Sequence, residues 1–214
     1  MATNLATYLN ETRRLLHDAA SNFWTQSELT DYINDGRYRV AADTKCLRAL
    51  RTITITTAVE SYPIASTFTS GVGQGAIDVL NVTVLWGALR VPLLYMPWTE
   101  FNAKMRTWVN NVSRPAVWSR YGTSPGTIFL GPIPDLNYQT EFDVSYIPST
   151  LVDANTVEEL SYPFTNPVSF YAAYKAKIKE QSYAEANIFL EQYRAKAIEG
   201  VNQVFTRYLP NVYA

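Results

Sequence analysis

Apolar side chains recur at three- and four-residue steps at both ends of this chain and at every second residue in its middle. Leu5, Tyr8, Leu9, Thr12, Leu15 and Leu16 predict a helix over residues 5–17. Asn4 is placed to cap it, and Arg13, Arg14 and His17 fall where positive charge suits a helix C-terminus. A short turn over residues 18–23 leads to a second helix start. Thr25 and Glu28 have the spacing of a capping box, each side chain able to bond the other's backbone N–H, and Trp24 and Leu29 hold the positions of a hydrophobic staple. Leu29, Tyr32, Ile33, Gly36, Val40, Ala41, Thr44 and Leu47 then line one face, against Asp31, Asp35, Arg39 and Asp43 on the other. A helix over residues 26–49 follows, roughly 36 Å long at 1.5 Å per residue, antiparallel to the first.

The period changes at Arg51. Residues 51–56 alternate with period two, as a strand with one buried face does. Eight of the eleven prolines lie between Pro63 and Pro148, and seven of the nine glycines between Gly71 and Gly131, so the middle of the chain is not helical. Strands are expected around residues 62–64, at 79–86 and 89–94 as a hairpin about Gly87-Ala88, and at 116–120, 127–130 and 141–146. Residues 66–75 read as an exposed loop, and 98–108 as a short helix capped by Thr99. After Tyr162-Pro163 the helical period returns. Asn166-Pro167 is a start signal, Gln181-Ser182 a weak break, and a long apolar face runs from Ala186 to Tyr208 until Pro210. The expected fold class is therefore α+β, in three stretches: a helical pair at 1–51, a β-rich insert at 52–160, and a helical pair with a tail at 161–214. The two helical pairs are expected to pack as one four-helix unit, and the insert as a small β-sandwich or curled antiparallel sheet.

Composition narrows the function. Apolar residues at 47% and charged residues at 17% belong to a folded protein of 214 residues. The net charge of −1 gives no global attraction to DNA or to an anionic membrane. Residues 52–160 carry five Lys and Arg against nine Asp and Glu, so the middle is acidic. That suits a surface past which DNA moves without sticking, not a sequence-specific binder. Fifteen tyrosines point either to surfaces that become interfaces or to aromatic strand packing. The single cysteine, Cys46, excludes an internal disulfide and fits synthesis in a reducing cytoplasm. Residues 1–14 lack the apolar core of a signal peptide, and residues 79–98 are too interrupted to span a bilayer.

No catalytic constellation emerges. One histidine and one cysteine, 29 positions apart, make neither a metal site nor a nucleophile–base pair. His17 has no Gly-x-Ser-x-Gly elbow to serve, and Gly71, Gly73 and Gly75 lack the spacing of a phosphate or dinucleotide loop. Glu158-Glu159 are neighbours in sequence, which read as solvated loop charge, not as carboxylates opposed across a cleft. Lys175, Lys177 and Lys179 read as a solvated helix face. No cofactor is expected.

The stretch 24–48 adds a resemblance. Trp24, Thr25, Glu28, Leu29, Tyr32, Ile33, Asn34, Gly36, Arg37, Thr44, Cys46, Leu47 and Arg48 resemble the N-terminal signature of tailed-phage head-to-tail adaptor proteins, also called connector or head-completion proteins. Looser matches follow at Arg114-Pro115, residues 127–134, Val144-Ser145-Tyr146 before Pro148, and Tyr162-Pro163. The resemblance implies a structural virion protein at the head–tail junction: a dodecameric ring that joins the portal to a tail nozzle or tube protein, around a DNA channel. The apolar residues Leu209, Val212 and Tyr213, flanking the helix stop at Pro210, read either as a tail that docks in a groove on another chain or as a frayed end; the resemblance, which implies that a terminal segment holds the portal, points to portal docking. Two other classes compete: a small phage hydrolase with an unrecognised site, and a nucleic-acid-binding accessory protein.

Overall fold

The computed structural model describes residues 3–69, 73, 75–107, 111–123, 125–153 and 156–204. In chain order its elements are α1 (Leu5–Leu15), α2 (Gln26–Thr44), β1 (Arg48–Ile55), β2 (Ser61–Pro63), α3 (Ile64–Thr67), β3 (Gly75–Trp86), β4 (Leu89–Pro92), β5 (Leu94–Tyr95), α4 (Trp98–Lys104), β6 (Val117–Tyr121), β7 (Thr127–Gly131), β8 (Tyr138–Ile147), α5 (Asn166–Lys179) and α6 (Tyr183–Val204). They fall into two compact units. One is built from both ends of the chain, up to Cys46 and from Pro148, and the other from the contiguous middle, Leu47–Ile147.

In the helical unit α1 starts where the Asn4 side chain accepts from the Thr7 N–H at 3.0 Å. The helix α2 ends at Thr44, about five residues earlier than its apolar pattern predicts. Lys45 adopts the left-handed conformation (φ 51°), and its N–H closes back on the Ala41 carbonyl at 2.9 Å. A residue in that conformation stops an α-helix and turns the chain, so the last positions assigned to the helix belong to β1 instead. Between α5 and α6, Gln181 is again left-handed (φ 62°).

The helix α5 packs against α1, α2 and α6. No residue from Pro167 to Lys177 is exposed, and Ala172, Ala173 and Ala176 are wholly buried. A helix packed by three neighbours needs small residues to admit them. Gly36 makes the same point from α2: a Cβ there would stand 3.0 Å from the Val168 carbonyl oxygen of α5.

The β unit holds two sheets, ordered β1-β8-β3-β4 and β2-β7-β6-β5. The first is antiparallel throughout, with β1 and β8 in unbroken register from Arg48↔Ser145 to Ile55↔Tyr138. In the second, β5 runs parallel to β6. Side chains from both sheets meet in one core around Ile55, Val82, Val84, Trp118, Ile128 and Phe142. The helix α4 covers the other face of the second sheet through Phe101, which packs with Met96 and Val117. That explains why Val117, Trp118 and Ser119 of β6 are all buried although they alternate in direction. It also explains Gly131 on β7, where a Cβ would come within 2.8 Å of the Phe101 ring.

The expected four-helix unit carrying one small sandwich or curled antiparallel sheet is thus corrected. The fold is α+β, with six helices and two four-stranded sheets among the described residues. Amphipathic helices sharing one seam would each keep a broad solvated face, but α5 packs against three neighbours and has no exposed residue from Pro167 to Lys177. Among the described residues two short helices lie inside the β unit, and the strands number eight, not about six. Within residues 66–75, Ser66 and Thr67 belong to α3 and Phe68 is buried in the core, so these are not loop tip; 70–72 and 74 lie outside the described residues. Thr99 does not cap α4, which begins at Trp98 after Pro97 with no side-chain cap.

Candidate assembly site

The signature residues up to Cys46 lie in the helical unit, and several have identifiable physical jobs there. Ile33 is fully buried, and Gly36 permits the close approach of α5. The Arg37 side chain, on the buried face of α2, is only 1% exposed and meets the Glu158 side chain, 2% exposed. The guanidinium Nε donates to both Glu158 carboxylate oxygens at 3.0 and 2.8 Å, and Nη2 donates to Oε1 at 2.7 Å. Its Nη1 donates to the Ser149 carbonyl at 2.6 Å and to Asn34 Oδ1 at 3.1 Å. Asn34 in turn donates to the Leu151 carbonyl and accepts from the Leu151 N–H, at 3.1 and 2.9 Å. Glu158 Oε1 also accepts from the Leu160 N–H at 3.0 Å. One arginine and one asparagine on α2 therefore fasten the irregular segment that precedes α5.

This overturns the reading of Glu158 as solvated loop charge. Sequence reasoning missed the pair because its partners are 121 residues apart. A signal was present: Ile33, Arg37 and Val40 follow helical spacing on the apolar face, where an arginine needs a counter-charge. Tyr8 of α1 lies beside Glu158, its hydroxyl buried without a well-formed hydrogen bond, and burial followed by the Glu158 charge pushes its ionisation far up.

The turn before α2 is held by Asp18. Its carboxylate accepts from the N–H groups of Trp24 at 3.0 Å, Asn22 at 2.9 Å and Phe23 at 3.3 Å, and it pairs with Arg13 at 3.4 Å. The Trp24 amide, then those of Asn22 and Phe23, hold Asp18 below the usual carboxylate range. The structure places Thr25 as the N-cap of α2, with its Oγ1 accepting from the Glu28 N–H at 3.3 Å and the Glu28 carboxylate accepting from the Thr25 N–H at 3.4 Å. Trp24 and Leu29 are buried. Lys179 of α5 pairs with Glu28, lowering its pKa, and stands over the Trp24 ring. Lys175 pairs with Asp35, and Lys177 with Glu180 and Glu185.

Apolar side chains are left in solvent in both units. On α6, Ile188, Ile198 and Val204 are exposed. Ile198 and Val201 border an open groove of about 270 Å³ shared with Asp43, Thr44, Tyr193 and Arg194. Tyr193 donates to Asp43 at 2.7 Å, and burial, then this carboxylate, raises its pKa. In the β unit Trp86, Leu89 and Leu136 are exposed around a shallow depression at one end of the first sheet, with the Arg114 guanidinium 4.3 Å over the Trp86 ring. Leu209, Val212 and Tyr213, expected to dock the portal, lie outside the described residues.

Among the described residues, no group of three or more His, Cys, Asp or Glu is placed to hold a metal ion, and no helix is long and apolar enough to cross a membrane. His17 occupies a left-handed position just beyond α1, and Cys46 is half-buried. A family model described as SU10 adaptor protein matches residues 3–212. No curated protein matches the chain.

Proposed function

That the chain belongs to the SU10 adaptor protein family is the premise from which we propose its role: a phage adaptor subunit that assembles as a ring beneath the portal, joins it to the tail and lines the DNA channel. The observation that carries this reading is the extent of the family match, which runs through both units. The exposed apolar residues of α6 and of the Trp86 hairpin support it as contact surface for ring neighbours and for a tail protein. The acidic middle supports passage of genomic DNA without sequence-specific binding. On this reading the protein is structural, is made in the host cytoplasm and ends at the head–tail junction of the virion.

Leu209, Val212 and Tyr213 are proposed to dock the portal. Burial of three apolar side chains in a groove contributes about 1.5–3 kcal/mol each. The test is electron microscopy of the chain mixed with its portal, beside a chain lacking residues 209–214. The intact chain is expected to add a ring to the portal. The shortened chain is expected to keep its circular dichroism and bind about tenfold or more weakly, a difference of at least 1.4 kcal/mol. Equal binding would move the docking surface to the helices or the β unit, and absence of any ring with the intact chain would overturn the adaptor assembly.

A further inference from the structure

The two sheets have four edge strands, and three of them are guarded. β2 has three residues and ends in Pro63; β5 has two. β4 has four and ends in Pro92. Because the Leu93 N–H bonds the Val82 carbonyl of β3 at 2.8 Å, alternation turns Arg90 and Pro92 outward, and proline puts a ring where a donor would be. Short length and outward proline are the devices by which sheet edges avoid pairing with another chain.

β1 has neither. It is an edge strand of eight residues with no proline, and its register with β8 shows no bulge. The Tyr146 N–H bonds the Leu47 carbonyl at 3.2 Å. Counting in twos from that pair, the N–H and C=O groups of Arg48, Leu50, Thr52 and Thr54 point away from β8. Among the described residues no partner meets them. Arg48, the charge that could repel an incoming strand, is tied to Asp143 of β8. At the middle of this edge stands Leu50, 62% exposed.

We propose that the β1 edge is a docking site for the β1 edge of a second copy of this chain, antiparallel, with Leu50 opposite Leu50 of the other copy at the two-fold axis. The chemistry selects this frame. Only frames two residues apart keep the outward groups aligned. Centring on Arg51 would set two arginines directly opposite, which is destabilising. Centring on Leu50 sets Arg48 against Thr52 and Arg51 against Ala49, and takes from water the one aliphatic side chain among the four outward residues. The pairing joins two four-stranded sheets into one of eight strands. It is isologous and closed, so it cannot propagate around a ring. This goes beyond the adaptor reading and does not depend on it.

Light scattering of the full chain from micromolar to millimolar concentration is expected to show the mass rising from 24.2 kDa toward twice that value. Leu50→Lys, which puts like charges opposite, is expected to weaken the dimer at least tenfold with unchanged circular dichroism. In a Cys46→Ser background, Leu50→Cys is expected to cross-link to a disulfide dimer under mild oxidation. The Cα atoms of a hydrogen-bonded antiparallel pair are about 5.5 Å apart, within the disulfide range of about 4.4–6.8 Å. A mass that stays monomeric at every concentration overturns the proposal. So does a dimer that survives Leu50→Lys, or cross-linking through Thr52→Cys in preference to Leu50→Cys. Leu50→Lys is expected still to form rings on the portal; loss of rings in that variant would assign the edge to a ring neighbour or the portal instead. Failure of the wild type to form rings tests the adaptor role alone and leaves the dimer measurement standing.

Discussion

Glu158→Gln keeps the shape of the buried carboxyl and removes its charge. Arg37 is then left 1% exposed with no counter-charge, although Asn34 and the Ser149 carbonyl still accept from it. Breaking a buried pair from one side costs about 3–5 kcal/mol, because the remaining charge has lost both water and partner. Against a total stability of about 5–15 kcal/mol that is a large fraction. With a urea dependence of about 2 kcal/mol per molar, the midpoint falls by roughly 1.5–2.5 M. Two units make a single transition unsafe to assume, so the loss is read by circular dichroism at the helical wavelengths and by hydrogen exchange over residues 148–160. Arg37→Met combined with Glu158→Leu removes both charges and is expected to recover more than half of the loss. The rest of the loss comes from the Ser149 carbonyl and the Leu160 amide, which lose their partners and keep the recovery partial. A loss below about 1 kcal/mol, the range of exposed pairs, would refute the reasoning, as would a change confined to the β unit.

Thr25→Ala is expected to lower the stability of the helical unit by about 0.5–2 kcal/mol, and Trp24→Ala by about 3–5 kcal/mol, both measured by denaturant titration; a Trp24 variant as stable as the wild type would deny that ring its packing role. Gly131→Ala forces the Phe101 ring from a 2.8 Å approach and should cost about 1–3 kcal/mol, visible as a lower melting point of the β unit. Asp18 has a folded pKa below its unfolded one, so the unfolded chain binds more protons as the pH falls through about 4. The stability it contributes is present above that range and is lost on acidification. Thermal midpoints should drop between about pH 5 and 3, with a shallower drop in Asp18→Asn; equal slopes in the two proteins would remove Asp18 from the account.

What could be read in the sequence was local. The Asn4 cap depends on a residue three positions away, the hairpin about Gly87-Ala88 on two adjacent strands, and the break at Gln181 on one backbone angle. What could not be read depended on partners distant along the chain. Glu158 looked solvated until α2 brought Arg37 to it. β6 gave no sign that α4 would cover its second face, and α5 looked like one amphipathic helix among four until its packing against three neighbours was visible. The early end of α2 fell to Lys45, since nothing in a lysine announces a left-handed residue. Of the candidate site, Arg37 stood in the signature from the start, but its role needed the fold.

The two ends of the chain share one unit, and that has a consequence for the order of events on the ribosome. The β unit is contiguous and can complete itself once Ile147 has emerged. The α1–α2 hairpin cannot. Arg37 waits for a glutamate 121 residues later, about 6–24 s of translation at 5–20 residues per second. Throughout that interval Leu29, Ile33 and Val40 have no α5 to cover them, so the nascent hairpin is the stretch exposed to chaperones and proteases. A transcript truncated before α5 should yield a product with a folded β unit and a degraded N-terminus.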